Sequence, residues 1–168
     1  MTRKTVLVTG TSSGIGKITA QYFAQHGWNI AATVRKKEDF FFNEDNLFAK
    51  NFLLDVSNED QCKRIIEDVV KTFGGIDVLV NNAGLAVMSA FEESSQQSIE
   101  DQFQTNLYGA MRLTKYVLPH FRKKRNGLIL TISTMGGRIG IPFYSVHAAS
   151  KFAVCGPVIM AFPAAAGS

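Results

Sequence analysis

The residues best placed to do chemistry near the start of the chain are three glycines. Gly10, Gly14 and Gly16 follow the apolar run Val6-Leu7-Val8 within TVLVTGTSSGIG, Thr5–Gly16, and a helical pattern begins at Ile15. Strand, glycine-rich turn and helix in that order suit the binding of a nucleotide diphosphate. Gly10 lets the chain turn off the strand, Gly14 removes a Cβ where a pyrophosphate must approach, and Gly16 lets the helix pack close to the strand. The first helical N–H groups and the positive end of the helix dipole face the phosphates. Gly10, Ser12, Ser13, Gly14, Ile15 and Gly16 are therefore the expected phosphate-binding set. Three residues and then one separate the glycines, unlike the commoner dinucleotide spacing of one and then two, and no Lys-Ser or Lys-Thr pair closes the loop as an ATP-binding P-loop would require.

The elements that must position this loop read as alternating strands and helices. Ile15–His26 is a helix with apolar Ile15, Ile18, Tyr22 and Phe23 at helical spacing, ended by Gly27. Asn29–Val34 reads as a buried strand, followed by Arg35-Lys36-Lys37. In dinucleotide folds an acid at the end of the second strand bonds the ribose 2′-hydroxyl, whereas an arginine accommodates a 2′-phosphate. Arg35, helped by a loop hydroxyl such as Ser12, thus favours NADP(H) over NAD(H), the alternative being solvated charge in a turn. Asn51–Val56 is a third strand ending in Asp55-Val56, where the acid suits either an adenine amino group or plain turn chemistry, and Ser57 is placed to cap a helix over Asn58–Phe73. Strand four, Ile76–Val80, is apolar on both faces and runs into Asn81-Asn82-Ala83-Gly84. A long helix is predicted over Ser98–Phe121, ending near Pro119, then strand five over Gly127–Ser133 and a helix from about Tyr144. The pattern predicts an α/β fold, a Rossmann-like doubly wound parallel sheet of order 3-2-1-4-5.

Composition sets the class. The 168 residues are 46% hydrophobic and 19% charged, as expected for one soluble globular domain. The net charge of +4 is modest, and no basic stripe interleaved with aromatics argues for nucleic acid. Arg122-Lys123-Lys124-Arg125 suits the C-terminal end of a helix. Cys62 and Cys155 show neither CxxC nor metal-ligand spacing, so two reduced thiols, no metal and a cytoplasmic location are expected. There is no apolar run long enough for a membrane span, and no membrane partner is expected.

TGTSSGIG at Thr9–Gly16, NNAG at Asn81–Gly84, TNLYG around Asn106, the ISTMGG segment and Ala-Ser-Lys at Ala149–Lys151 together resemble the short-chain dehydrogenases/reductases over about residues 4–156. The resemblance implies hydride transfer between nicotinamide and a secondary alcohol or ketone, with a small-molecule substrate and the question of a homo-oligomer left open. It assigns Asn82, Ala83 and Gly84 to the cofactor, together with Asp55, Val56 and Lys151. Chemistry of this kind needs a proton donor and acceptor at the substrate oxygen, a second hydroxyl, and a cation that lowers the donor's pKa. Family members supply these as Tyr, Ser and Lys, with an Asn nearby holding a proton-relay water. Lys151 and Asn106 match, the serine position carries Thr134 beside Ser133, and the tyrosine position carries His147.

An imidazole exchanges protons near neutral pH, but the neighbouring Lys151 ammonium and an oxidised nicotinamide disfavour its cation, which weakens it as an acid for ketone reduction. Tyr144 lies one turn before His147, where packing at the helix start is the plainer role. Pro157 would break the helix that the family continues, and Pro163 with the Ala-Ala-Ala-Gly-Ser end matches no family segment. The expected organisation is an incomplete NADP(H)-binding domain over 1–156 and an atypical tail over 157–168, in a member that is C-terminally truncated or altered. Strand five is expected to be an exposed edge, or covered by a partner. Two functions follow: an NADP(H)-dependent oxidoreductase using Asn106, Thr134, His147 and Lys151, or a catalytically impaired remnant that binds dinucleotide.

Overall fold

The computed structural model describes residues 3–155 and, as backbone, the strand 159–162; Pro157, Pro163 and the rest of the tail lie outside the described residues. The elements are β1 (Thr5–Val8), α1 (Gly14–Gln25), β2 (Asn29–Val34), β3 (Ala49–Leu53), α2 (Glu59–Phe73), β4 (Val78–Asn81), α3 (Gln96–Phe103), α4 (Gly109–Lys124), β5 (Gly127–Thr131), α5 (Ser145–Cys155) and β6 (Ile159–Phe162). Five strands pair in parallel in the expected order 3-2-1-4-5. β6 then pairs antiparallel with β5, so the edge expected to be bare is covered from within the chain.

Side chains alternate across the central strands and are buried on both sides. Leu7, Ala31, Leu79 and Ile129 point to one face and pack with Ile65, Ile66 and Val69 of α2 and Leu113, Val117 and Phe121 of α4. Val6, Val8, Ile30, Ala32, Val78 and Val80 point to the other, where Ala20 of α1 meets them. Phe41 and Phe42 pack against this second cluster, and their N–H groups both donate to Asn51 Oδ1.

α1 keeps only Phe23 of the expected apolar face against the core. Ile15, Ile18 and Tyr22 are 63%, 67% and 57% exposed, while Gly16 and Ala20 are buried. The reason is distance: a Cβ on Gly16 would lie 2.3 Å from the Gly10 carbonyl oxygen, so the contact line admits only small residues and turns the bulky ones outward.

Other boundaries moved for local reasons. Asn58, not Ser57, caps α2, its side chain accepting from Gln61 N at 3.0 Å, because Ser57 is held by Asp55 Oδ1 through both its N–H and its hydroxyl. β3 sits earlier in the sequence than expected, and β4 and β5 are shorter than the apolar runs that carry them. The long helix expected over Ser98–Phe121 is two helices joined by a π-helical turn at Gln104–Tyr108, and Pro119 lies inside α4 instead of ending it. The basic run does close α4: Arg122, Lys123 and Lys124 form its last turn, Arg125 follows at φ 52°, and Lys124 pairs with Asp77.

The turn from α4 into β5 depends on a missing side chain. A Cβ on Gly127 would meet the buried Phe121 ring at 2.1 Å, whereas a Cβ on Gly140 would meet no atom within 4 Å. Gly127→Ala is therefore expected to lower the unfolding free energy by about 1–3 kcal/mol, and Gly140→Ala to stay within about 0.5 kcal/mol of the parent. Urea denaturation of both variants checks the pair, and equal midpoints would contradict this packing.

Candidate functional site

The carboxyl ends of β1 and β4 are clasped together. Thr9 Oγ1 accepts the N–H groups of Asn82 and Ala83, each at 2.9 Å, and donates to Val80 O at 3.3 Å. Asn82 Nδ2 returns the contact by donating to the carbonyls of Thr9 at 2.8 Å and Gly10 at 2.9 Å. Gly10, at φ 66°, passes so close to the second loop that a Cβ there would lie 2.8 Å from Ala83 Cα. Gly14, at φ 54°, has no atom within 4 Å of the same position, so its face is open to a ligand. The three glycines thus serve different ends: Gly10 and Gly16 permit the clasp, and Gly14 leaves space.

Beside this clasp runs a cleft of about 330 Å³. Its lining brings together Gly10, Ser12, Ser13, Arg35, Asp55, Val56, Asn82, Ala83 and Gly84, nine of the residues singled out in the sequence. Gly14, Ile15 and Gly16 do not line it: Gly14 stands in open space at the loop, Ile15 projects outward and Gly16 is buried beneath the loop. Thr33, Val34, Leu54, Leu85 and Thr105 line it as well, without having been singled out. Thr33 is 1% exposed and its hydroxyl oxygen has no hydrogen-bond partner among the described residues, while its carbonyl takes both the N–H and the hydroxyl of Thr11. A buried hydroxyl left without a partner costs free energy unless a ligand supplies one. Asp55 does what turn chemistry asks, through Ser57, and still borders the cleft.

At the Leu85 end the cleft meets the second group of predicted residues. Asn106 sits in the π turn, 2% exposed, a local widening of the kind that recurs at functional sites. Its Oδ1 accepts from Leu85 N at 2.7 Å, and its Nδ2 donates to Leu85 O at 2.8 Å and to Ser150 Oγ at 2.9 Å. Ser150, fully buried, donates in turn to the carbonyl of His147 at 2.7 Å. His147 Nδ1 lies 3.1 Å from Leu85 O. A carbonyl only accepts, so this nitrogen carries the proton and Nε2 of the neutral ring is left as a base.

Lys151 is buried and donates to Ile132 O at 3.0 Å. Burial pushes its ammonium below the usual lysine range, with nearby Cys155 acting weakly in the opposite sense. A Cβ on Gly84 would lie 3.5 Å from both Lys151 Nζ and Asn106 Oδ1, which places both groups beside one glycine. Thr134 is exposed, and its hydroxyl makes no hydrogen bond among the described residues. Its neighbour Ser133 is turned inward, bonded to Lys151 O and to Cys155 Sγ at 3.1 Å, so of the two hydroxyls only that of Thr134 is free for a ligand. Tyr144 meets His147 edge to face, with ring centroids 6.0 Å apart. Both cysteines are free thiols; burial pushes that of Cys62 up to about 11. Among the described residues no cluster of ligands could hold a metal, and no helix is long and apolar enough to cross a membrane.

With this geometry in place, the family model described as short chain dehydrogenase matches residues 4–160. The chain belongs to that family. It is 38% identical over 151 residues to a 3-ketodihydrosphingosine reductase of Bacteroides thetaiotaomicron, covering 90% of this chain and 54% of that protein. It is 36% identical over 162 residues to the 3-oxoacyl-[acyl-carrier-protein] reductase FabG of Thermotoga maritima, covering 91% of this chain and 64% of that one. Among solved structures, a short-chain dehydrogenase from Streptomyces avermitilis superposes with a TM-score of 0.84 at 33% identity, over 92% of this chain and 57% of the other. ElxO with NADP bound gives 0.84 at 34% identity, over 92% and 64%. The chain therefore spans between half and two thirds of the length of these short-chain dehydrogenases.

The Leu85 contact makes a spectroscopic prediction. Long-range ¹H–¹⁵N spectra of the imidazoles, with His147 assigned by its loss in His147→Gln, are expected to show neutral His147 protonated on Nδ1. A neutral ring protonated on Nε2 would refute the anchoring.

Proposed function

We propose that this short-chain dehydrogenase binds NADP(H) along the cleft and acts on a secondary alcohol or its ketone at the end where Leu85, Thr134, His147 and Lys151 meet. The single observation that carries this reading is Leu85: it lines the cleft and also receives the hydrogen bonds of Asn106 and His147, so binding and proton-exchanging groups share one residue. The residues fit the cofactor on grounds of shape and chemistry. Gly14 leaves an open approach at the phosphate loop, Thr33 offers an unpartnered hydroxyl, and Arg35 stands exposed beside Ser12 and Ser13 in the lining. A guanidinium next to hydroxyls suits a 2′-phosphate, which supports NADP(H) over NAD(H). The relative with NADP bound points the same way.

When bound, the nicotinamide supplies the hydride acceptor or donor. The chain's own groups handle the proton. Thr134 donates a hydrogen bond to the substrate oxygen and fixes its position. His147, its Nδ1–H committed to Leu85, takes the alcohol proton on Nε2 in oxidation or returns one from the imidazolium in reduction. Lys151, buried on the same helical face one turn later, places positive charge beside the site. Asn106 and Ser150 hold the His147 backbone and the Leu85 loop in register.

The second reading, a chain that binds dinucleotide with little turnover, is favoured by His147 itself. An imidazole tied back to Leu85 reaches less far than a phenol from the same backbone position. Fluorescence titration is expected to show NADPH binding tighter than NADH. Arg35→Ala should weaken NADPH by about 10–100-fold, the worth of hydrogen bonds to a charged group, while changing NADH by less than about 3-fold. Absence of any dinucleotide binding would overturn both readings. On the chemical side, His147→Tyr is expected to raise NADPH-dependent ketone reduction by at least about 10-fold, within the range a positioned general acid supplies. No gain across a broad carbonyl panel would remove His147 from the proton-transfer role.

A further inference from the structure

After β4 the chain crosses the active end as an irregular segment with no ladder of its own. Among the described residues, no N–H or carbonyl of residues 85–88 bonds to another backbone group. Side chains set its position instead. The N–H and carbonyl of Leu85 both meet Asn106, and the N–H of Val87 donates to Gln102 Oε1 at 3.2 Å. Gln102 and Asn106 stand four residues apart, on the same face of the run formed by α3 and the π turn. Ser89 N–H donates to Phe143 O at 3.0 Å, so the N–H groups of Leu85, Val87 and Ser89 tie the segment at every second residue. Gln102 is the unexpected member of this set. It is 1% exposed, at a helix position where a methionine would fill similar space with no polar group to satisfy. Its own amide N–H reaches Ser98 O only at 3.5 Å, the outer limit of a hydrogen bond. The firm contact of this buried amide is the one to Val87, and what it holds is the reason for a polar side chain there.

Resting on the reading given under Proposed function, we infer that Gln102 is a positioning residue: by fixing Val87 it holds the Leu85 carbonyl in line with the His147 ring. Only Ala86 separates the two tied residues. Leu85 O receives Asn106 Nδ2 at 2.8 Å and faces His147 Nδ1 at 3.1 Å, so the direction of one carbonyl decides how the imidazole is held. Asn106 grips the segment at a single residue, about which it can still swing. The second tie, at Val87, removes that freedom. Gln102 is no part of the cleft lining and makes no hydrogen bond to His147, so its influence on proton transfer passes through Leu85.

The test compares the whole chain with Gln102→Met and with Gln102→Glu, which keeps an oxygen within reach of the Val87 N–H. Long-range ¹H–¹⁵N spectra report the His147 tautomer, amide exchange reports Val87, and fluorescence titration reports NADPH. In Gln102→Met the Val87 amide is expected to exchange faster, and the Nε2-protonated fraction of neutral His147 to rise, each by about 2–10-fold, the worth of one neutral hydrogen bond. NADPH affinity should stay as in the parent, and Gln102→Glu should return both readouts to their parent values. With a ketone that is turned over, kcat should fall in Gln102→Met while KM holds. An unchanged His147 tautomer in Gln102→Met, a shift that Gln102→Glu does not reverse, or a loss of NADPH affinity in step with it overturns the positioning role. Should Gln102→Met not fold, Gln102→Asn, one methylene too short to reach Val87, serves in its place with the same expected outcome. A parent chain that neither binds NADPH nor turns over a carbonyl strikes the reading under Proposed function, and the spectra still decide whether Gln102 positions His147.

Discussion

One close contact underlies the rest of this molecule: the approach of the β1 and β4 ends at Thr9 and Asn82. The Thr9 hydroxyl satisfies two backbone N–H groups that have just left the sheet, and the Asn82 amide satisfies two carbonyls of the opposing loop. Each partner is partly or wholly buried, so losing Thr9 leaves two N–H donors unpaired and losing Asn82 leaves two carbonyl acceptors unpaired, at up to about 1–3 kcal/mol for each group. The clasp is also why two of the glycines are needed without any ligand. A side chain on Gly10 would strike Ala83, and one on Gly16 would strike the Gly10 carbonyl and the Asn82 amide. The glycine-rich loop and the Asn81–Gly84 segment are therefore one construction, made of two sequence motifs that touch.

From that construction the active end is built by backbone atoms more than by side chains. Leu85 follows the clasp by two residues, and its N–H and carbonyl both meet the Asn106 amide. The π turn supplies the extra residue that brings Asn106 inward from an otherwise regular helical run, joining α3 to α4 at the point of contact. Ser150 then links Asn106 to the backbone of α5, so the helix carrying His147 and Lys151 is oriented by a loop on β4 through one buried amide. Movement of the clasp would reach the His147 backbone through three hydrogen bonds by way of Asn106 and Ser150, and the His147 ring directly through the Leu85 carbonyl.

The sequence made some of this legible and hid the rest for physical reasons. Strand order was readable because strands apolar on both faces, separated by helical runs, have few arrangements open to them. Of the nine cleft residues, Gly10, Gly84, Arg35 and Asn82 were readable from residue type, and Ser12, Ser13, Asp55, Val56 and Ala83 from their places in the motifs and at a strand end. Leu85 was not, since it acts through a carbonyl that every residue possesses. Thr33 looked like an ordinary strand residue, and only its burial without a partner singles it out. α1 misled because periodicity finds the bulky apolar face, whereas contact this close selects Gly16 and Ala20. The β6 pairing follows no periodic signal; four residues after an interrupted helix find the open side of β5.

The same hydrogen bond that organises His147 also limits what it can do. A phenol at that position would hold its proton until the reaction demanded it, with Lys151 easing release. The neutral imidazole has Nδ1–H already committed and Nε2 empty, so in that form it can only accept a proton. To act as an acid it must first take up a second proton, forming a cation one helical turn from a buried ammonium that is itself short of solvent. On the proposed reading, the two directions of the reaction are unequal: accepting the proton of an alcohol needs no prior step, and delivering one to a ketone does. On that reading, an imidazole in place of a phenol here leaves the lining of the cleft as it is, since His147 is not part of it, and shifts the burden onto proton supply.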